Sequence, residues 1–368
     1  MAQRSAFHYA LFGLAFGLFF PLGSWFFDAW VKELDMGLAV VYELHRVNPL
    51  HYIIDSAPVV LAFAFGMAGA KQDRVKYYYE HLAEEVQEKT KELRGSNQEL
   101  QQINEEIAVQ SEQLSKAMNQ LESSINYAQR IQTSILEKES FFKEKFSDAF
   151  ILFYPRNVVS GDFYFYTEKD EKQVVAAVDC TGHGVPGAFM SLIGNELLRE
   201  IINIAGVTEP DFILQLLHKN VVKTLRQHES SVNDGMDLSL CVIDPINRRV
   251  EVAGAKNPIL YTSGQELIMI KGSAYSIGGI QKRGRLVFDK HTLPYERGMR
   301  IYLFTDGYQD QFGGAQNKKL MLKRLREELE KRRNENLTKQ RAALEDLFYS
   351  WKRSYPQTDD VLVMAIEL

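Results

Sequence analysis

The stretch VVAAVDCTGHGVPGAFMSLIGNELL, residues 174–198, decides how the second half of this chain folds. Its apolar, β-branched opening reads as a buried strand that ends at Asp179. Glycines at 182, 184 and 187 follow, and they let the backbone bend tightly and approach a ligand closely. A helix is expected to begin near Pro186, since proline is tolerated in a first helical turn. The start of that helix offers unpaired N–H groups to an anion. A carboxylate at the tip of a buried strand is costly unless something positive meets it or it caps the helix.

Three further acids share that placement. Asp162 lies in VVSGDFYFY, Asp306 in MRIYLFTDGYQD and Asp359, with Asp360 beside it, in QTDDVLVMAI. Four carboxylates at strand ends, far apart in sequence, are expected to converge on one end of a sheet and hold hard divalent cations through oxygen. That predicts a metal-dependent hydrolase. Short β-rich runs (FILFYP, DFYFYT, QVVAAVD, LSLCVID, RVEVAGA, PILYT, LIMIKG, RLVFDKHTL, RIYLFTDG and VLVMAIEL) alternate with helical stretches near 187–204, 211–228 and 318–351. The pattern predicts an α+β fold, an αββα sandwich of two antiparallel sheets flanked by helices.

Upstream the composition changes twice. Between Arg4 and Asp28 there is no charged residue, so FHYALFGLAFGLFFPLGSWFF is long enough to span a bilayer core of ~30 Å. A second apolar run, about 50–70, contains Asp55 and Pro58, which places Asp55 near a membrane face or makes it a functional intramembrane acid. Lys71, Arg74 and Lys76 follow directly and put both ends of this hairpin in the cytoplasm. From 75 to 136 the chain is polar and free of proline. Val86, Leu93, Leu100, Ile107, Leu114, Leu121, Ala128 and Ile135 form one heptad column. The companion column (Leu82, Lys89, Ser96, Ile103, Gln110, Ala117, Ser124, Ile131) is largely polar, which predicts a weak coiled-coil homodimer with Gly95-Ser96 as a soft point. The expected organisation is 1–74 membrane hairpin, 75–136 coiled-coil or switch helix, and 137–368 catalytic domain. The net charge of -5 gives no reason to expect nucleic-acid binding, and no phosphate-binding loop or kinase motif set is present. Two cysteines, Cys180 and Cys241, exclude a disulfide framework.

In order, GDFYFY, DCTGHGVPGAFMSLIG, GMDLSLCVID, AGAKNPILY, SIGG, FTDGYQD and TDDVLVMAI resemble the SpoIIE/RsbU-type branch of the protein phosphatase 2C-like (PPM) serine/threonine phosphatases, over about 150–368. The resemblance implies two Mn²⁺ or Mg²⁺ ions activating water against a phosphoserine or phosphothreonine. Asp179 then matches the acid shared by both ions, with the Cys180 backbone carbonyl beside it. Asp306 and Asp359 match ligands of the second ion, with Asp360 ranked after Asp359. Asp162 matches an acid that holds the cluster directly or through water. His183 is a candidate proton donor to the leaving hydroxyl, although it stands two residues further from the acid than in the Asp-Gly-His of better-known relatives. Arg156, Gly182 and Gly184 are candidates for the substrate phosphate. The family further implies a phosphorylated STAS-type anti-anti-sigma factor as substrate. The segment 125–142 would act as a switch, in a protein of the bacterial cytoplasmic membrane whose catalytic domain is cytoplasmic. A phosphatase-like scaffold that binds a phosphoprotein without turnover is the alternative.

Overall fold

The structure, a computed structural model, describes residues 4–35, 37–279 and 286–368. Residues 1–3 of the expected hairpin, Met36 of its outer loop and Arg285 of an expected strand lie outside the described residues. The chain divides into two compact units, Met1–Leu114 and Ser115–Leu368.

The first unit opens with α1 (Arg4–Val31), followed by α2 (Leu38–Val47), α3 (Leu50–Asp55) and the start of α4 (Ala57–Ile135). Helical segments Ser5–Val31 and Leu50–Lys145 each contain a window long and apolar enough to cross a membrane. Glycine is what lets α1 and α4 approach: a methyl group on Gly13 would lie 2.5 Å from Leu61 O, and one on Gly17 would lie 2.3 Å from Pro58 Cα. Small residues let two helix backbones come this close. The second apolar run and the heptad segment, read above as separate pieces, are one helix from Ala57 onward, and Asp55 falls at the end of the short α3 before it. The helix continues through Gly95 without interruption. One glycine costs ~1 kcal/mol, too little to break a helix of that length.

The second unit begins within α4 and continues with α5 (Glu139–Lys145), β1 (Asp148–Tyr154), β2 (Phe163–Lys169) and β3 (Lys172–Cys180). Then come α6 (Gly184–Arg199), a π turn at Glu200–Ile204, α7 (Pro210–Thr224), β4 (Gly235–Asp244), β5 (Arg249–Ala255), β6 (Ile259–Ser263) and β7 (Glu266–Ile270). Short β8 (Ile277–Gly278), β9 (Lys290–Pro294), β10 (Arg300–Phe304), α8 (Gly307–Asp310), β11 (Phe312–Gly313) and β12 (Lys318–Lys319) precede α9 (Leu322–Lys331), α10 (Leu337–Lys352) and β13 (Val361–Glu367). The helical stretch expected at 318–351 is thus a small hairpin followed by two helices, and the strand expected from 285 is confined to β9. Helix α6 starts two residues earlier than Pro186.

Two sheets, in the orders β1-β13-β10-β6-β7 and β2-β3-β4-β5-β9, with β8 beside β4, have antiparallel ladders throughout. Strand alternation divides the apolar residues among three cores. In β3, Val175 and Ala177 point between the sheets, while Val174, Ala176 and Val178 point to the layer of α6 and α7. In β13, Leu362, Met364 and Ile366 join the inter-sheet core, and Val361, Val363 and Ala365 pack against α9 and α10. Strands buried on both faces read as continuous apolar runs, and each fully buried Val, Leu or Ile contributes ~1.5–3 kcal/mol. The αββα sandwich expected from the sequence is the architecture observed.

Candidate active site

The ends of β3, β4, β10 and β13 meet around one cleft of ≈ 400 Å³, lined by Asp179, Asp237, Asp306 and Asp359, the 180–183 turn, Lys256 and the 276–279 loop. Each acid is delivered by a strand end. Asp179 closes β3, and Asp306 caps α8 immediately after β10. Asp359 and Asp360 lead into β13, and Asp162 leads into β2.

Close backbone packing locks these ends together. A methyl group on Gly161 would lie 2.4 Å from Gly182 O, one on Gly187 2.2 Å from the same oxygen, and one on Gly307 1.9 Å from Asp360 O. Gly182 itself has φ +86, a conformation that favours glycine. The Gly-Asp and Gly-His-Gly motifs therefore touch through their backbones, and the Asp-Gly motif packs against the backbone of Asp360.

The two neighbouring acids of the last motif have different surroundings. Asp360 is 2 % exposed and accepts from the N–H of Arg156 (2.6 Å) and of Gly161 (2.7 Å), so it pins the loop before β2. Asp359 is exposed and lines the cleft. Asp162, 3 % exposed, accepts from the Thr305 hydroxyl at 2.6 Å, and Thr305 in turn accepts from Leu362 N–H at 3.1 Å. His183 stands at the N-cap position of α6, and its Nδ1 lies 2.9 Å from Asn157 Oδ1, an acceptor, so Nδ1–H donates to it. The Arg156 side chain is exposed and does not line the cleft. Gly182 lines it, while Gly184 lies just behind, at the first turn of α6.

Burial, then the charge of Asp179, raises the carboxyl of Asp162 well above the ordinary range. Burial, then Asp306, Asp359 and Asp237, raises Asp179. Asp306 is raised by burial and by Asp310 and Asp359. Burial raises the Cys180 thiol too, which keeps it protonated and unsuited to nucleophilic attack.

Four residues of this site had no assigned role in the sequence reading. Asp237 sits opposite Asp179 in the β3–β4 register and becomes visible only through that pairing. Lys256, whose Nζ is 3.4 Å from Asp237, is the one Lys or Arg among the described residues that line the cleft. Thr305 hides inside a motif read for its aspartate. Gln132, from the last turns of α4, is buried: its Nε2 donates to Ser160 O (2.6 Å) and Ser191 Oγ (2.8 Å), and its Oε1 accepts from Ser160 N–H (3.0 Å). Such a clamp runs from the expected switch segment to the residue two before Asp162.

The donor set is all oxygen and fits hard cations. These crowded carboxylates repel one another, Lys256 is the one Lys or Arg among the described residues that line the cleft, and added positive charge would settle them. Among the described residues no three Asp, Glu, His or Cys side chains gather tightly enough to close on one ion.

Residues 169–368 match the family model described as Stage II sporulation protein E (SpoIIE). Among solved structures, the chain is similar to the SiaA-PP2C domain of Pseudomonas aeruginosa, with 29% identity and a TM-score of 0.62, covering 68% of this chain and 98% of that one. It is also similar to the PP2C phosphatase domain, with a fragment of the regulatory domain, of SpoIIE from Bacillus subtilis. There the identity is 17%, the TM-score 0.50, and the cover 60% of this chain and 63% of that one, a likeness of fold. No curated protein matches the chain.

Proposed function

The chain belongs to the SpoIIE family of PP2C-type protein phosphatases, and from that premise we propose a membrane-tethered, metal-dependent phosphoserine/phosphothreonine phosphatase of bacterial signal transduction. The observation that carries the metal-dependent reading is that Asp179, Asp306 and Asp359, joined by Asp237, line one cleft, with Asp162 outside its lining. Asp179, the Cys180 carbonyl, Asp306 and Asp359 would hold two Mn²⁺ or Mg²⁺ ions, with Asp162 steadying the set from behind and Asp237 as an added donor. When bound, such ions acidify water and offset the charge on phosphoryl oxygens.

The chain's own groups do the rest. Gly182 keeps the backbone low beside the cleft, and the amino end of α6 favours an anion there. Lys256 is positioned to meet the phosphoryl oxygens once Asp237 is engaged elsewhere, a role for which Arg156 is less well placed. His183, protonated on Nε2 as well as Nδ1, would give a proton to the seryl or threonyl oxygen as its bond to phosphorus breaks. Water supplies the oxygen that stays on phosphate.

By family resemblance the substrate is a phosphorylated STAS domain. Two apolar helices support a site at the cytoplasmic membrane with the catalytic unit in the cytoplasm. The exposed heptad column of α4 supports a homodimer. The test is Mn²⁺-dependent phosphate release by the full chain in phospholipid vesicles, from a phosphorylated STAS domain and from a small aryl phosphate, with Asp179→Asn as control. Release that needs metal and is lost in the variant is expected. No release from either substrate by folded, metal-loaded protein would overturn turnover and leave a phosphoprotein-binding scaffold.

A further inference from the structure

The first unit holds a cluster of titratable side chains that phosphate release does not use. Because residues 6–17 of α1 run antiparallel to residues 58–69 of α4, the far end of α1 meets α2 and α3. There Asp55, the acid singled out inside the second apolar run, accepts from Trp25 Nε1 at 3.1 Å and faces His45 Nε2 at 2.5 Å. The other ring nitrogen of His45, Nδ1, lies 2.7 Å from the carbonyl oxygen of Val41. His51, 1 % exposed, lies between Ser24 Oγ and Asp28 Oδ2, each at 3.0 Å, and the two imidazole centroids are 5.3 Å apart.

The hydrogen-bond inventory fixes how many protons this cluster holds. A carbonyl oxygen and an ionised carboxylate only accept. His45 therefore satisfies both neighbours in two ways: as an imidazolium opposite a carboxylate, or as a neutral ring donating from Nδ1 and accepting from a protonated Asp55. Each form carries one proton more than a neutral imidazole beside a carboxylate. His51 needs no such proton, since its Nε2–H can donate to Asp28 while the Ser24 hydroxyl donates to Nδ1. The charged groups facing the pair are few. On α1 Asp28 is shared between His51 and Lys32 (3.6 Å), on α2 Glu43 and Arg46 face each other at 3.8 Å, and α3 adds His51 and Tyr52, the latter with its ring centroid 4.9 Å from that of His45.

We propose that His45 and Asp55 form a proton-binding site in the first unit, and that its occupancy is an input to the phosphatase. The second half of that statement rests on the function proposed above. With the proton bound, α2 is tied to α3 through His45–Asp55, and α3 to α1 through Asp55–Trp25. As pH rises and the proton leaves, a neutral ring has one N–H for two acceptors, so either the bond to Val41 or the bond to Asp55 is given up. Ionisable side chains that pair at one end of an apolar hairpin mark a position for a functional hypothesis, here with both partners named. Imidazole is the side chain that titrates in the physiological range.

Trp25 provides the readout, its ring centroid being 6.0 Å from that of His45. A protonated imidazole quenches a neighbouring indole. The full chain in phosphatidylcholine/phosphatidylglycerol vesicles would be titrated from pH ~5 to ~9 while tryptophan emission is followed, and phosphate release would be measured on the same samples. A one-proton emission step is expected, lost in Trp25→Phe and His45→Gln, moved to lower pH in Asp55→Asn and kept in His51→Gln, with helical circular dichroism intact in each. The pH profile of release should bend at the same midpoint in the wild type and lose that bend in His45→Gln. No step, or the same step in both folded His45→Gln and Asp55→Asn, would overturn the site. Superimposable release profiles for wild type and His45→Gln would overturn its role as an input. An emission step without release from any variant would uphold the site and overturn the phosphatase reading instead.

Discussion

At the scale of single residues, the acids of the cleft are held by neighbours whose removal can be read separately from loss of the acids themselves. Thr305 touches no substrate; its hydroxyl orients Asp162 and links it to the start of β13. Thr305→Val should weaken metal affinity or activity roughly 10–100-fold, as loss of a group that orients a ligand does. In a Mn²⁺ titration of phosphate release, the half-saturating concentration should rise while the rate at saturating metal changes less. An unchanged half-saturating concentration would show that Asp162 needs no such support. Lys256 separates in the opposite way. A charged hydrogen bond is worth about 1.5–3 kcal/mol, so Lys256→Gln should raise KM for an aryl phosphate and the inhibition constant of inorganic phosphate by about 10–100-fold. Lys256→Arg should recover part of this loss. If Mn²⁺ affinity moves instead and phosphate inhibition does not, Lys256 serves only as the charge partner of Asp237. The four acids were legible because each interrupts an apolar run at a turn. Asp237 was not, since a strand register is a property of two strands, and Lys256 stood in a motif whose spacing carries no chemistry. What marks Lys256 is its backbone, at φ 59, pinned by an N–H bond to Ser273 O at 2.8 Å.

At the scale of elements, the central strands β3, β4 and β13 were legible because each is apolar on both faces, and that continuity survives any error in register. The helices were less so. The stretch 318–351 carries a helical composition, but its first residues pair as β12 against β11 in a short hairpin, whose other strand, 312–313, lies just outside the window that reads as helix. The end of α4 shows the same limit. A heptad reading placed Ile131 and Ile135 on the coupling columns, whereas the structure turns Gln132 into the domain and leaves Ile131 at 42% exposure. Gln132→Ala would leave the buried N–H and carbonyl of Ser160 without their side-chain partner, at a cost of about 1–3 kcal/mol for each group left unpaired. The thermal midpoint should fall by several degrees, and the Mn²⁺ dependence of release should shift with it, because Ser160 leads directly into Asp162. A variant with full stability and an unaltered metal titration would show that α4 does not speak to the cleft through this bond. Helix α7 sets a pH limit on the opposite wall. His218 Nδ1 accepts from Gly278 N–H at 3.0 Å, and burial holds its pKa below the ordinary 6.5. The neutral form is thus favoured by folding. Stability is fully present above pH ~6.5, and is lost as pH falls from there toward the lowered folded value. His218→Gln should flatten that acid limb in a thermal-melt series, and an unchanged limb would assign it to other groups.

At the scale of the whole molecule, the open question is what covers α4. Val86, Leu93, Leu100, Ile107, Leu114 and Leu121 are each more than half exposed in the single chain, on a column that repeats every seven residues. Apolar side chains in that repeat are stable in water only against a second helix, and a companion column of Lys89, Ser96, Gln110 and Ser124 keeps the pairing weak. Two copies of one chain with the same column satisfy the repeat in register only when they run parallel. Both native cysteines, Cys180 and Cys241, are buried, so a single cysteine placed on α4 reports its own surroundings. In a parallel, in-register dimer the Leu100 positions of the two copies face each other, and their Cα atoms would fall within about 4.4–6.8 Å, as a disulfide requires. Under mild oxidation of the full chain in vesicles, Leu100→Cys and Ile107→Cys should each give a cross-linked dimer. Glu105→Cys, on the opposite side of the heptad, should remain largely monomeric under the same conditions. Equal cross-linking at all three positions would mean random collision, and none at the two column positions would leave α4 without a partner of its own kind. Because the seam is weak, the yield at Leu100 should also respond to the state of the first unit. If His45→Gln changes that yield at fixed pH while Glu105→Cys stays unlinked, the proton site and the dimer act on one another. Equal yields with and without His45 would separate them.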